Sequence, residues 1–181
     1  DGNINYMDVV YLGNSNPKLT GGFGPSITWK NLRITSFFSF RWGYDVINGT
    51  KMNTTNMFNF DNQSTAVLSR WKKEGDVTDM PRALISGGFN WLGSDRYVED
   101  ASYIRFRTIT ARYNFDKKAL TKMKLRSMSV FVTAENLFTI TNYLGQDPEV
   151  SFRGSDPFRV SYDNSMTPPA KNITLGLQVG F

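Results

Sequence analysis

Residues 171–181, KNITLGLQVGF, alternate strictly between apolar and polar or glycine side chains after Lys171. Ile173, Leu175, Leu177, Val179 and Phe181 alternate with Asn172, Thr174, Gly176, Gln178 and Gly180. Successive residues of a strand point to opposite faces, so this segment has one wholly apolar face and one that is polar or bare. A soluble sandwich also uses such strands, and the rest of the chain must discriminate.

Four further segments carry the same period of two. LTGGFGPSITW (19–29) places Leu19, Phe23, Ile27 and Trp29 together, and LRITSFFSFRWGY (32–44) groups Leu32, Ile34, Phe38, Phe40, Trp42 and Tyr44. SMSVFVTAENLFTI (127–140) sets Met128, Val130, Val132, Ala134, Phe138 and Ile140 against Ser129, Thr133, Glu135 and Thr139. SYIRFRTITARYNF (102–115) changes phase between Phe106 and Ile109; one extra residue near Arg107 and Thr108 restores a single face, which predicts a β-bulge there.

The connections alternate in length. Lys30-Asn31 is a tight turn, 45–101 is very long, 116–126 is intermediate and 141–171 is long again. Short turns on one side and long loops on the other are the layout of an outer-membrane barrel. Aromatics cluster at the strand ends: Trp29, Tyr113, Phe115 and Phe181 on the short-turn side, Trp42, Tyr44, Tyr103 and Phe138 on the other. Two such girdles are expected at the interfaces of a membrane barrel. Five strands cannot close around a lumen, since small barrels need about eight. An open sheet would leave unpaired edges in hydrocarbon, so the chain is expected to be the end of a longer polypeptide. Within the first long connection, NQSTAVLSRWKKEG (62–75) predicts a short amphipathic helix with Val67, Leu68 and Trp71 on one face, capped by Asn62 or Ser64 and closed by Gly75.

Composition narrows the function. The 181 residues hold 21 Lys and Arg against 16 Asp and Glu, a net charge of +5, and the mean hydropathy is −0.38. Cysteine and histidine are both absent, which removes thiolate nucleophiles, disulfides, Ser-His-Asp triads and histidine zinc sites from this chain. No catalytic set, metal site or cofactor is expected. The basic residues are scattered apart from Lys117 to Arg126, and no nucleic-acid module is recognisable. The carboxylates of GDVTD (75–79) and GQDPE (145–149) lack the spacing of a dedicated calcium loop, which favours turn chemistry. Asn48, Asn53, Asn62 and Asn172 stand in glycosylation sequons, which chance explains in a chain rich in Asn and Thr.

Five stretches then resemble the SusC/RagA-like TonB-dependent outer-membrane transporters. They are YLGNSNPKLTGGF (11–23), RWKKEGDVTDMPRA (70–83), DRYVEDASYIRFRTITARYNF (95–115), VTAENLFTITNYLGQDPEV (132–150) and the terminal ITLGLQVGF. Their order is that of the C-terminal part of the family's barrel. The resemblance implies that residues 1–181 are the last five strands of an all-β antiparallel transmembrane barrel of about 22 strands. It implies an upstream plug, energy coupling through TonB, a SusD-like surface lipoprotein as lid, and oligosaccharide or peptide as ligand. It also implies a multi-pass location in the cell outer membrane, in contact with outer-membrane lipid.

Candidate residues follow. Leu177, Val179 and Phe181 would form the membrane-insertion signal read by the barrel-assembly machinery. Arg33, Arg41, Arg112 and Glu135 fall on lumen-facing positions, where charge is tolerated; on the lipid face each would cost about 2–4 kcal/mol near mid-membrane. Solvation and strand-to-strand pairing account for them better than ligand contact does. Trp71, Trp91, Tyr97 and Tyr143 could touch ligand or lid, or simply hold the loops. Beside the importer, a porin without energy coupling would lack the plug, and a soluble β-sandwich binding module would need no detergent.

Overall fold

The computed structural model describes residues 6–58, 60–85, 94–122, 124–149 and 161–181. In chain order the strands are β1 (Leu19–Phe23), β2 (Ser26–Trp29), β3 (Leu32–Trp42), β4 (Asp45–Asn48), β5 (Val98–Asp100), β6 (Tyr103–Asn114), β7 (Ser127–Thr141), β8 (Tyr162–Asp163) and β9 (Asn172–Gly180). Two short helices are α1 (Gly49–Thr54) and α2 (Lys117–Lys122). The chain divides into a sheet unit, residues 17–43, 102–142 and 168–181, and a loop unit, residues 1–16, 44–101 and 143–167.

The sheet unit is antiparallel throughout, in the order β1-β3-β6-β7-β9, with β2 also paired to β3. The expected continuous strand 19–29 is interrupted at Gly24-Pro25. Proline has no N–H to give to a ladder, and the Pro25 carbonyl instead accepts from Ser36 N at 3.0 Å. β1 and β2 therefore lie in succession along β3. That strand stops at Trp42 rather than Tyr44, because Gly43 takes a left-handed φ of +73° that a strand cannot continue.

The bulge lies where the phase change predicts it. Phe106 opposes Phe38 and Thr108 opposes Phe37, which leaves Arg107 as the extra residue. Its side chain is put to use: Nε donates to Ser39 Oγ at 2.7 Å. On the other edge of β6 the register slips between Phe106–Phe138 and Thr108–Glu135, and Asn136 sits at a φ of 53°, a conformation Asn tolerates.

Register then sorts the side chains. Leu19 meets Trp42, Ile27 meets Ile34, Ile34 meets Ala111, Ala111 meets Val132, and Val132 meets Leu175. These alternating apolar residues of the sheet unit thus share one face, while Phe37, opposite Thr108, and Phe131, opposite Arg112, lie on the other. Across the apolar face runs an aromatic row: Phe23 stacks on Phe38 at 4.9 Å between centroids, Phe38 on Phe106 at 4.5 Å, and Phe106 tilts against Phe138 at 5.4 Å. At the short-turn end Tyr113 meets Phe115 edge-on, and Lys30 lies over Trp29. Two members of the expected far girdle do not belong to it. Tyr103 is buried on the polar face between Arg41 and Thr141, and Tyr44 is buried in the loop unit.

The loop unit is built on a small sheet, β5-β4-β8, in which β4 runs antiparallel to β5 and parallel to β8. Asn48 caps α1 by accepting from Lys51 N at 2.8 Å. The amphipathic α-helix expected over 62–75 is instead a single 3-10 turn, Thr65–Ser69, capped by Ser64. Ser and β-branched residues give this segment weak helix propensity. The downstream chain bonds elsewhere: Thr78 Oγ1 donates to the Ser69 carbonyl at 2.7 Å, and Trp71 N to Met80 O at 2.9 Å. Val67 alone of the predicted apolar face is buried, against Met57 and Met80, and Trp71 lies beyond the turn.

Candidate functional site

The sheet presents two surfaces of opposite chemistry. On the apolar side Ile140, Ile173, Leu175 and Leu177 are 61–78% exposed, and Trp29, Ile27, Trp42 and Phe138 are about half or more exposed. A monomeric soluble protein rarely leaves contiguous apolar surface on this scale uncovered. Val179 and Phe181 continue the surface to the end of β9, where Met128 opposes Val179. Leu177, Val179 and Phe181 thus form an uninterrupted apolar edge on a strand whose far side pairs with nothing among the described residues.

The other face is polar and cationic. Arg33 stands directly opposite Arg112, Arg41 lies between Thr20 and Tyr103, and Glu135 lies between Thr108 and Asn172. All four residues singled out from the alternation therefore share this face. Thr35, Thr110, Thr133 and Thr174 run in one row across four strands, with Thr110 and Thr133 hydroxyls 2.9 Å apart. Arg33 Nε donates to Ser26 Oγ at 3.3 Å. Arg112 Nη1 donates to Ser129 Oγ at 3.0 Å and to Gln178 Oε1 at 2.9 Å, and the guanidinium stacks 4.7 Å from the Phe131 ring centre. Asn172 Nδ2 donates weakly to Glu135 Oε2 at 3.5 Å.

In the loop unit the aromatic candidates separate. Trp71 is half-buried and lines an open cleft of about 440 Å³ with Thr78, Asp79, Pro81, Arg82 and Arg96. Trp91 lies outside the described residues. Tyr97 and Tyr143 are 1% and 5% exposed, so neither ring offers a face to a ligand or lid. Tyr143 OH donates to Asp163 Oδ2 at 2.6 Å. Burial, then this hydrogen bond and the Asp163 charge, push the phenol well above its ordinary range.

Contacts between distant segments hold this unit together. Glu99 accepts from Lys51 Nζ at 3.0 Å and from Leu144 N at 3.1 Å, and Tyr44 OH donates to the Pro148 carbonyl. The GDVTD and GQDPE carboxylates act in turns: Asp76 accepts from Lys72 N and Lys73 N, and Asp147 from Glu149 N. Partners separated by up to 104 positions leave no periodic trace in a sequence.

No family model matches the chain. Among curated proteins, two TonB-dependent receptors of Formosa agariphila are 28% and 32% identical to it over its whole length. Among solved structures, the RagAB peptide importer aligns in its closed-closed state at a TM-score of 0.78 with 25% identity, over 92% of this chain and 18% of that one. The open-open state of the same importer aligns at 0.77, with 25% identity over 92% of this chain and 17% of that one. The chain spans less than a fifth of the curated relatives it matches, 18% and 19% of their lengths.

Proposed function

We propose, for a chain that belongs to the SusC/RagA-like TonB-dependent receptors, that its strands are the C-terminal wall of an outer-membrane importer of oligosaccharides or peptides. The carrying observation is the register-aligned apolar face, exposed from Leu19 across to Phe181. In water that face would drive association. Against acyl chains it costs nothing, and the aromatic strand ends suit the headgroup level. Both outer edges of the sheet then require further strands, because unpaired N–H and C=O groups in hydrocarbon cost several kcal/mol each. The remainder of a barrel of about 22 strands would supply them.

The polar face then lines the lumen, with Arg33, Arg41, Arg112 and Glu135 directed inward. Leu177, Val179 and Phe181 serve as the insertion signal for barrel assembly. The three strand ends at Trp42, Tyr103 and Thr141, where the chain leaves for the loop unit, lie at one end of the sheet by register, which suits extracellular loops there and periplasmic turns at Lys30-Asn31 and α2. A SusD-like lipoprotein closes over the loops, Trp71 is the aromatic candidate among the described residues with surface to offer it, and TonB supplies the energy. No role in this reading calls for catalysis.

The test is growth. A strain lacking the gene should lose uptake of one oligosaccharide or peptide class, and regain it with the gene only while TonB and the proton gradient are intact. Uptake that persists without TonB indicates a porin. A native polypeptide that stays monodisperse without detergent removes the membrane reading altogether.

A further inference from the structure

At the short-turn end of the polar face, a cavity of about 300 Å³ is lined by Arg112 from β6, Lys117 from α2 and Arg126 from the turn before β7, with Asn114, Ser127, Ser129 and Gln178 among its polar lining. No carboxylate side chain lines it among the described residues. Asp116, nearest in sequence, is engaged elsewhere: its Oδ1 accepts from Asn31 Nδ2 at 2.6 Å, and it lines a separate cleft with Trp29 and Lys30. Among the described residues no carboxylate lies at ion-pairing distance from Arg112, Lys117 or Arg126. Arg33 stands opposite Arg112 in the register, outside the cavity, with its Nε donating to Ser26 Oγ. Like charges placed directly across a ladder destabilise it.

Arg112 is also held in place. Its Nη1 is committed to Ser129, itself 6% exposed, and to Gln178, and its plane rests on Phe131. The Nε and Nη2 positions carry no partner among the described side chains. A guanidinium fixed on one side and available on the other is the donor arrangement that takes a carboxylate, and fixing it beforehand lowers the ordering cost of binding.

We propose that Arg112, Lys117 and Arg126 form a carboxylate-binding site on the polar face of the sheet. Its occupant is a carboxylate group, supplied either by a soluble acid or by an acidic side chain of the protein assembly. The site rests on the geometry of the sheet unit alone and does not depend on the transport reading.

The experiment uses the native polypeptide purified in detergent, with succinate as the probe and carbodiimide as a zero-length coupling reagent. An amide between Lys117 and succinate marks a soluble occupant. An amide between Lys117 and an Asp or Glu of the protein assembly marks a resident one. Either product supports the site, provided Arg112→Gln reduces it; in the soluble case the same change should weaken succinate affinity about tenfold, the loss expected of one charge-assisted contact. Arg112→Lys keeps the charge without the fork and should fall between the two. Should Arg112→Gln fail to fold, the double variant Lys117→Gln with Arg126→Gln, outside the sheet ladder, must weaken succinate binding or free the resident carboxylate for modification. Absence of both coupling products at Lys117, or coupling and affinity unchanged in these variants, overturns the proposal.

Discussion

At the scale of single residues, Gly176 explains more than its size suggests. It stands opposite Phe131 on the polar face, and a Cβ there would collide with the Phe131 ring, which in turn carries the Arg112 guanidinium. Gly176→Ala is expected to destabilise the folded sheet by about 1–3 kcal/mol, the usual cost of overpacking. Urea unfolding in lipid vesicles would measure it, and Phe131→Ala should relieve most of that cost in the double variant. Tyr143 gives a pH test. Its hydroxyl is buried against Asp163, so the folded state holds the phenol proton while the unfolded chain releases it near pH 10. The unfolded state then binds fewer protons above that pH, so stability falls as pH rises through about 10 and is insensitive to this group below it. Denaturant titrations of wild type and Tyr143→Phe across that range should show the alkaline loss lessened in the variant. Neither residue announced this in the sequence. Gly176 read as a bare position on a strand, and Tyr143 read as a loop aromatic, because Phe131 and Asp163 are distant in the chain.

At the scale of elements, the strands were legible and their interruptions only partly so. The phase change in SYIRFRTITARYNF could be resolved only by an extra residue, and Arg107 is that residue. Removing it should force β6 to choose between its two halves, since a one-residue slip turns every side chain to the other face. We expect the Arg107 deletion to abolish the heat-modifiable gel mobility of a folded barrel, whereas Arg107→Gln, which keeps the residue count and a donor for Ser39, should retain it. The 3-10 turn at Thr65–Ser69 went the other way. An apolar spacing of Val67, Leu68 and Trp71 suggested a helix, but the backbone bonds of Trp71 and Ser69 go to the Met80 strand of chain and to Thr78, a competition that amphipathic spacing cannot reveal.

At the scale of the whole molecule, the decisive property is the sidedness of the sheet. Leu175 sits midway along the edge strand β9, opposite Val132, with 74% of its surface exposed, while its neighbour Thr174 lies on the polar face opposite Thr133. Leu175→Arg should therefore cost about 2–4 kcal/mol of folding free energy in a bilayer, and Thr174→Arg much less. Folding yield into vesicles would read the difference; equal costs would contradict the assignment of faces. The amino-acid order alone specified the long strands of the sheet unit, their apolar face, the bulge and the family resemblance, because a period of two is written locally. It did not reveal the small sheet of β4, β5 and β8, whose strands of two to four residues are too short to show a period. Only the tertiary structure decided which residues oppose one another. The pairing of Arg33 with Arg112, the cavity that gathers Arg112, Lys117 and Arg126, the withdrawal of Tyr103 from the aromatic girdle and the burial of Tyr97 and Tyr143 all depend on register and on contacts between distant segments. Such contacts carry no repeat along the chain, since each is fixed by where two segments meet and not by the order of residues within either.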